Sequence, residues 1–132
     1  MTLKKEFNMK QPKIGSCHCG AVKFEIRLEQ ELENPRRCNC SICSRKGAIM
    51  ADIDESDFQI LEGEEYLSLY QWNTNIAKHW FCRICGIYTH NQKRSSPPGY
   101  AFNVACIDDL DPFSLDEIPV ANGARLSLVE HQ

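Results

Sequence analysis

Arg36-Arg37-Cys38-Asn39-Cys40-Ser41-Ile42-Cys43-Ser44-Arg45-Lys46-Gly47 places three cysteines within six residues, as C-x-C-x-x-C. A thiolate is a soft ligand that suits zinc, and three side chains from one tight loop can occupy three corners of a tetrahedron. Three is the informative number. Structural zinc is usually closed by four protein ligands, whereas catalytic zinc keeps one position for water or substrate. Working outward, Cys17 and Cys19 form a C-x-C, and Cys82 and Cys85 a C-x-x-C. Together these two pairs complete a set of four. The trio Cys38, Cys40 and Cys43 then has no fourth sulfur except Cys106, which stands alone. The simplest partition is one closed four-cysteine site, one three-cysteine site with a free corner, and one spare thiol. Two other partitions remain: Cys106 closes the second site, or the pairs are exchanged between sites.

At 132 residues the chain is expected to be a single domain over 1–132, burying roughly two-thirds of its unfolded surface. Metal staples would help a core of that size. A composition of 42% hydrophobic and 25% charged residues excludes disordered and collagen-like classes. The net charge is −3 with no long basic run, which argues against nucleic-acid binding. Met1–Phe7 lacks a signal-peptide apolar core, and no stretch approaches the roughly 20 apolar residues of a membrane span. The expected setting is therefore a reducing cytoplasm, where clustered cysteines bind metal more often than they form disulfides.

Read in order, residues 1–12 are polar and expected to fray. Ile14–Gly20 makes a ligand knuckle. Val22, Phe24, Ile26 and Leu28 alternate with Lys23, Glu25, Arg27 and Glu29, the period of a strand with one buried face. Glu31–Pro35 reads as a connection and Ser44–Ala48 as a short helical turn. Further strands are expected over Ile49–Ile53, from Phe58 to Leu61, over Tyr66–Trp72, Ala77–Phe81 and Ile87–His90, and finally Tyr100–Ile107. Turns lie at Asp54–Asp57, Glu62–Glu65 and Asn73–Asn75, and a loop at Gln92–Gly99. Asp108–Pro119 reads as an acidic loop with a short helix at Ser114–Ile118. Many short strands separated by turns predict a mainly β fold with little helix.

Three segments carry a family resemblance: Gly15-Ser16-Cys17-His18-Cys19-Gly20-Ala21-Val22, Cys38-Asn39-Cys40-Ser41-Ile42-Cys43, and Lys78-His79-Trp80-Phe81-Cys82-Arg83-Ile84-Cys85-Gly86. With Tyr100–Asp109 as a late strand, the chain resembles the glutathione-dependent formaldehyde-activating enzyme family, the CENP-V/GFA domain, over about residues 14–110. The resemblance implies a zinc-stapled β-tent of short antiparallel strands. By matching position it places a structural zinc on Cys17, Cys19, Cys82 and Cys85, and a catalytic zinc on Cys38, Cys40 and Cys43. The implied activity joins glutathione to formaldehyde as S-(hydroxymethyl)glutathione, formally a carbon–sulfur lyase reaction. The namesake enzymes carry a longer C-terminal part than this chain has after its last strand.

Thiolates on a divalent ion leave net negative charge that nearby cations should offset. Arg36, Arg37, Arg45 and Lys46 flank the trio and are the candidate contacts for the carboxylates of glutathione. The expected partners are glutathione or another thiol and an aldehyde, with homo-oligomerisation left open. His18 sits between two ligands and should point away from them. His79 and His90 read as strand histidines near the second knuckle, with a proton-donor role as the alternative. Cys106 reads as a buried small apolar residue. Trp72, Trp80, Phe81, Tyr100 and Phe102 read as core or pocket wall. Asp108, Asp109 and Asp111 form a solvated acidic loop without the ligand spacing of a calcium loop. The competing whole-protein readings are a non-catalytic module with two structural zincs, and a redox sensor whose trio oxidises when metal is lost.

Overall fold

The phase of each apolar alternation decides which sheet face it covers. In a computed structural model of the protein, residues 10–29, 31–72, 75–93 and 99–122 are described. Their strands run β1 (Gln11–Ser16), β2 (Lys23–Leu28), β3 (Glu33–Cys38), β4 (Met50–Ile53), β5 (Phe58–Glu62), β6 (Leu67–Tyr70), β7 (Lys78–Cys82), β8 (Tyr88–Gln92), β9 (Tyr100–Asn103) and β10 (Val120–Ala121). Among the described residues one α-helix, α1 (Ser41–Lys46), lies between β3 and β4, and the remaining helix is in single 3₁₀ turns. The mainly β expectation holds.

Two sheets result. The smaller is antiparallel, in the order β1-β2-β5. The larger runs β10-β3-β4-β9-β8-β7-β6, antiparallel apart from the two-residue parallel pairing of β10 with β3. The alternation in β2 sends Phe24 and Ile26 fully inward. There they meet Ala51 and Ile53 of β4, Phe102 of β9 and the partly buried Phe58 and Ile60 of β5, so the small sheet packs on one face of the large one. Burying side chains of this size stabilises by about 1.5–3 kcal/mol each. Gly15 sits directly under the Phe24 ring, and a Cβ there would overlap it.

Several boundaries differ from the sequence reading. Gln11 and Pro12 pair with Leu28 and Arg27 rather than fraying, because backbone pairing with β2 carries β1 beyond its apolar positions. Residues 1–9 lie outside the described residues. The expected connection Glu31–Pro35 is largely strand β3. It has no apolar alternation, and Pro35 falls within the register shift between Glu33 and Arg36, where a missing N–H is tolerated. The helical turn begins at Ser41 rather than Ser44 and stops at Gly47. That glycine has φ 65° and gives its N–H to Cys43 O at 3.0 Å.

The last long strand ends at Asn103 rather than Ile107. The Asn103 side chain accepts from Ala105 N and turns the chain into a 3₁₀ helix over Val104–Cys106. A 3₁₀ turn at Pro112–Ser114, capped by Asp111, replaces the helix expected at Ser114–Ile118. The strand expected over Tyr66–Trp72 covers Leu67–Tyr70. Of the hairpin-like turn Asn73–Asn75, residues 73 and 74 lie outside the described residues, as do 94–98 of the loop Gln92–Gly99.

Candidate metal centres

The first cysteine group forms where two turns from different sheets meet. Cys17 and Cys19 occupy the turn between β1 and β2; Cys82 ends β7 and Cys85 lies in the turn that follows it. Each turn is tied by its own backbone. Gly20 N donates to Cys17 O at 3.2 Å, and Gly86 N donates to Cys82 O at 2.7 Å. Val22 N points at Cys17 Sγ, 3.3 Å away. All four sulfurs lie within 4.8 Å of one another. The Cys17–Cys19 and Cys19–Cys82 sulfur separations are 3.6 and 3.7 Å. A zinc–sulfur bond of about 2.3 Å gives a tetrahedron with edges of about 3.8 Å, so these separations fit that ion. They are far beyond a disulfide bond of about 2.05 Å, and none of the eight cysteines is disulfide-bonded.

The second group lies at the junction of β3 and α1. Cys38 ends β3. Cys40 is the N-cap of α1, its Sγ accepting from Cys43 N at 3.4 Å. Cys43 follows one turn later, which brings the three sulfurs within 4.8 Å of one another. Cys40 is buried; Cys38 and Cys43 are partly exposed. Among the described residues, no fourth Cys, His, Asp or Glu completes this group.

The electrostatics favour thiolate within it. Hydrogen bonding from the Cys43 thiol, against the cost of burial and helped by the Cys43 and Ile42 N–H groups, pulls Cys40 down to about 5. Cys43 moves strongly upward, because it shares its proton with Cys40 and is itself buried. Three soft donors within 4.8 Å of one another suit a thiophilic cation. In the first group, burial raises Cys85. Backbone N–H bonds from Cys19 and Ile87, with the thiols of Cys82 and Cys17, outweigh it and bring Cys85 to about 6.

Cys106 belongs to neither group. It packs in the core with Val104 and Ile107, its Sγ 3.6 Å from Tyr88 O, and burial pushes its thiol up to about 12. His18 is exposed. His90 is buried in an aromatic stack, 4.8 Å from Trp80 and 4.6 Å from Phe58 between ring centroids.

The flanking cations divide. Arg36 pairs with Asp52 at 2.9 Å. Arg37 donates to Gly47 O at 3.1 Å and Arg45 to Ser41 O at 2.8 Å; both are exposed beside the trio. Lys46 turns inward instead. Its Nζ lies 3.1 Å from His79 Nδ1 and 3.4 Å from the centroid of the Tyr88 ring, close enough to Cys43 and Cys40 for their charges to act on it. Burial brings Lys46 down to about 8 against the pull of those thiolates. Burial, then the Lys46 charge, brings His79 down to about 4.

Sequence reasoning misses this inward cluster because a β-bulge creates it. One step along β7, Trp80 to Phe81, faces two steps along β8, His90 to Tyr88. The extra residue, Thr89, reverses the alternation, so His90 shares the face of Trp80 while Tyr88 shares the face of His79 and Phe81. The two ring centroids, His79 and Tyr88, are 6.2 Å apart. No apolar periodicity marks an inserted residue of this kind.

The fold and these two groups define a mainly β protein with two cysteine clusters able to hold metal, one of four sulfurs and one of three. The family described as glutathione-dependent formaldehyde-activating enzyme (GFA) matches residues 12–118, and the chain belongs to that family. It is also similar to a crystal structure of a Rhodobacter sphaeroides protein, with TM-score 0.78 and 50% identity, covering 82% of this chain and 99% of that one. A Halomonas elongata relative named "Putative glutathione-dependent formaldehyde-activating enzyme" is 33% identical over 79 residues, 54% of this chain and 50% of the relative. The matched stretch thus spans about half the length of that curated relative. No helix among the described residues is long and apolar enough to cross a membrane.

Proposed function

We propose that this protein is a zinc-dependent carbon–sulfur lyase-type enzyme acting in the cytoplasm on glutathione and formaldehyde, forming or releasing S-(hydroxymethyl)glutathione. One observation carries the reading: a three-sulfur group, partly open to solvent, beside a complete four-sulfur group. Family membership supplies the reaction class.

In this reading Cys17, Cys19, Cys82 and Cys85 hold a structural zinc, and Cys38, Cys40 and Cys43 hold a second. Zinc at the trio would supply the means to keep a bound thiol deprotonated and to polarise a carbonyl. The chain's own residues do the rest. The Cys43 side chain, with the Cys43 and Ile42 N–H groups, favours the thiolate form of Cys40. Arg37 and Arg45, exposed at the rim, face the two carboxylates of glutathione and draw it sulfur-first towards the trio. Arg36, paired with Asp52, anchors β3 to β4 and keeps Cys38 in register.

Adduct formation measured against the spontaneous reaction of glutathione with formaldehyde tests the reading. The metal-replete protein should exceed the spontaneous rate, and Cys40→Ser should not. A metal-replete wild type that adds nothing to the spontaneous rate overturns it.

A further inference from the structure

The reaction proposed above creates charge at a point the cysteines do not serve. When a thiolate sulfur uses its electron pair to bond the aldehyde carbon, the C=O π pair moves onto oxygen. That oxygen becomes an alkoxide and must find a donor. Preorganised donors aimed at developing charge are usually the largest single catalytic contribution.

Among the described residues, Lys46 is the cation turned in towards the trio, and its surroundings hold it there. An ammonium has three donors and no acceptor, so His79 Nδ1 at 3.1 Å is the accepting, unprotonated ring nitrogen. The Tyr88 ring supports the ammonium at 3.4 Å by cation–π attraction. His79 and Tyr88 are both buried, and they share a face only because Thr89 bulges β8. Helix α1 ends at Gly47 immediately after Lys46, which sets where the side chain leaves the backbone. With one N–H taken by His79, the ammonium keeps others to offer.

Resting on the zinc–thiol reading above, we infer that Lys46 is a catalytic residue of this site: its Nζ receives the oxygen of the aldehyde as the carbon–sulfur bond forms. His79 and Tyr88 are positioning residues that aim it. The step balances. The C–S bond forms, the C=O π bond breaks, and the oxygen takes a proton from the ammonium to become the hydroxyl of the hemithioacetal. Lys46 is left as an amine that regains a proton from water. In reverse, the amine accepts the hydroxyl proton as aldehyde leaves.

The structural alternative is that Lys46 merely neutralises thiolates, so the test separates metal retention from turnover. Wild type, Lys46→Met and Lys46→Arg are each loaded with zinc. Zinc per chain, glutathione KM and kcat for adduct formation are then measured. Lys46→Met should lower kcat about 100-fold, the scale of losing one oxyanion donor, with zinc per chain and KM for glutathione unchanged. Lys46→Arg keeps the charge but presents a planar fork, so it should recover only part of the loss. His79→Leu should lower kcat about 10-fold at unchanged KM, as the donor loses its aim, and His79→Gln, which restores an acceptor, should recover most of it.

A folded Lys46→Met that turns over like wild type overturns the assignment. So does one whose loss tracks loss of zinc, or one whose defect lies in KM alone. If zinc-loaded wild type itself never exceeds the spontaneous rate, the functional reading falls first and the role of Lys46 falls with it. That result is distinguishable from an active wild type with an equally active Lys46→Met.

Discussion

Cys40 and Cys82 are both buried cysteines at the ends of elements, yet their replacement should have different consequences. Cys82 helps join turns from two sheets, so on the proposed assignment Cys82→Ser should remove a metal site coupled to folding and cost several kcal/mol. Cys40 lies in a group confined to one strand end and one helix turn. Cys40→Ser should therefore keep a cooperative thermal transition, hold about one zinc per chain rather than two, and lose activity at least 100-fold. Metal analysis alongside circular dichroism decides between these outcomes. Equal unfolding by both variants would contradict the division of labour. The two sulfur groups were legible without a structure, since sulfurs two or three residues apart can converge whatever the surrounding fold. The orientation of Lys46 was not legible, because residue type marks it as a cation on a helix but not which way it turns.

At the scale of elements, α1 depends on its stop signal. Gly47 at φ 65° becomes strained on substitution, so Gly47→Ala should cost about 1 kcal/mol in denaturant unfolding. It should also weaken zinc retention by Cys43, the acceptor of the Gly47 N–H. The sheet interface carries a pH signature. His90 is buried against Trp80 and Phe58, and burial lowers it to about 3 from an ordinary 6.5. The unfolded chain thus binds a proton that the folded one refuses between those values. The stabilisation is complete above about pH 6.5 and is lost on acidification towards 3, at about 1.4 kcal/mol per pH unit. His90→Phe should flatten the fall between pH 6.5 and 5 relative to wild type, read from urea midpoints; equal slopes would refute it. Strand β2 was legible from its alternation, and the knuckles from their cysteines and glycines. Strand β3 was not, because Glu33–Cys38 pairs through its backbone around a proline and buries little. The β8 bulge also left no pattern, since one inserted Thr89 looks like any other strand residue.

Across the whole molecule, the four-sulfur group links the β1–β2 turn of the small sheet to the β7–β8 turn of the large one. The three-sulfur group lies on the large sheet alone, at the end of β3. A strong chelator should therefore strip metal in two stages. The first, from three ligands, should leave near-ultraviolet circular dichroism unchanged; the second should coincide with unfolding. A single concerted loss would mean the two ions do the same job. The central claim, a closed quartet beside an open trio, is tested most directly by X-ray absorption at the zinc edge of the fully loaded protein. Seven protein sulfurs over two ions predict about 3.5 sulfurs per zinc, rising towards four when glutathione is added. Four sulfurs per zinc before any thiol is added, or no change after it, would contradict the account.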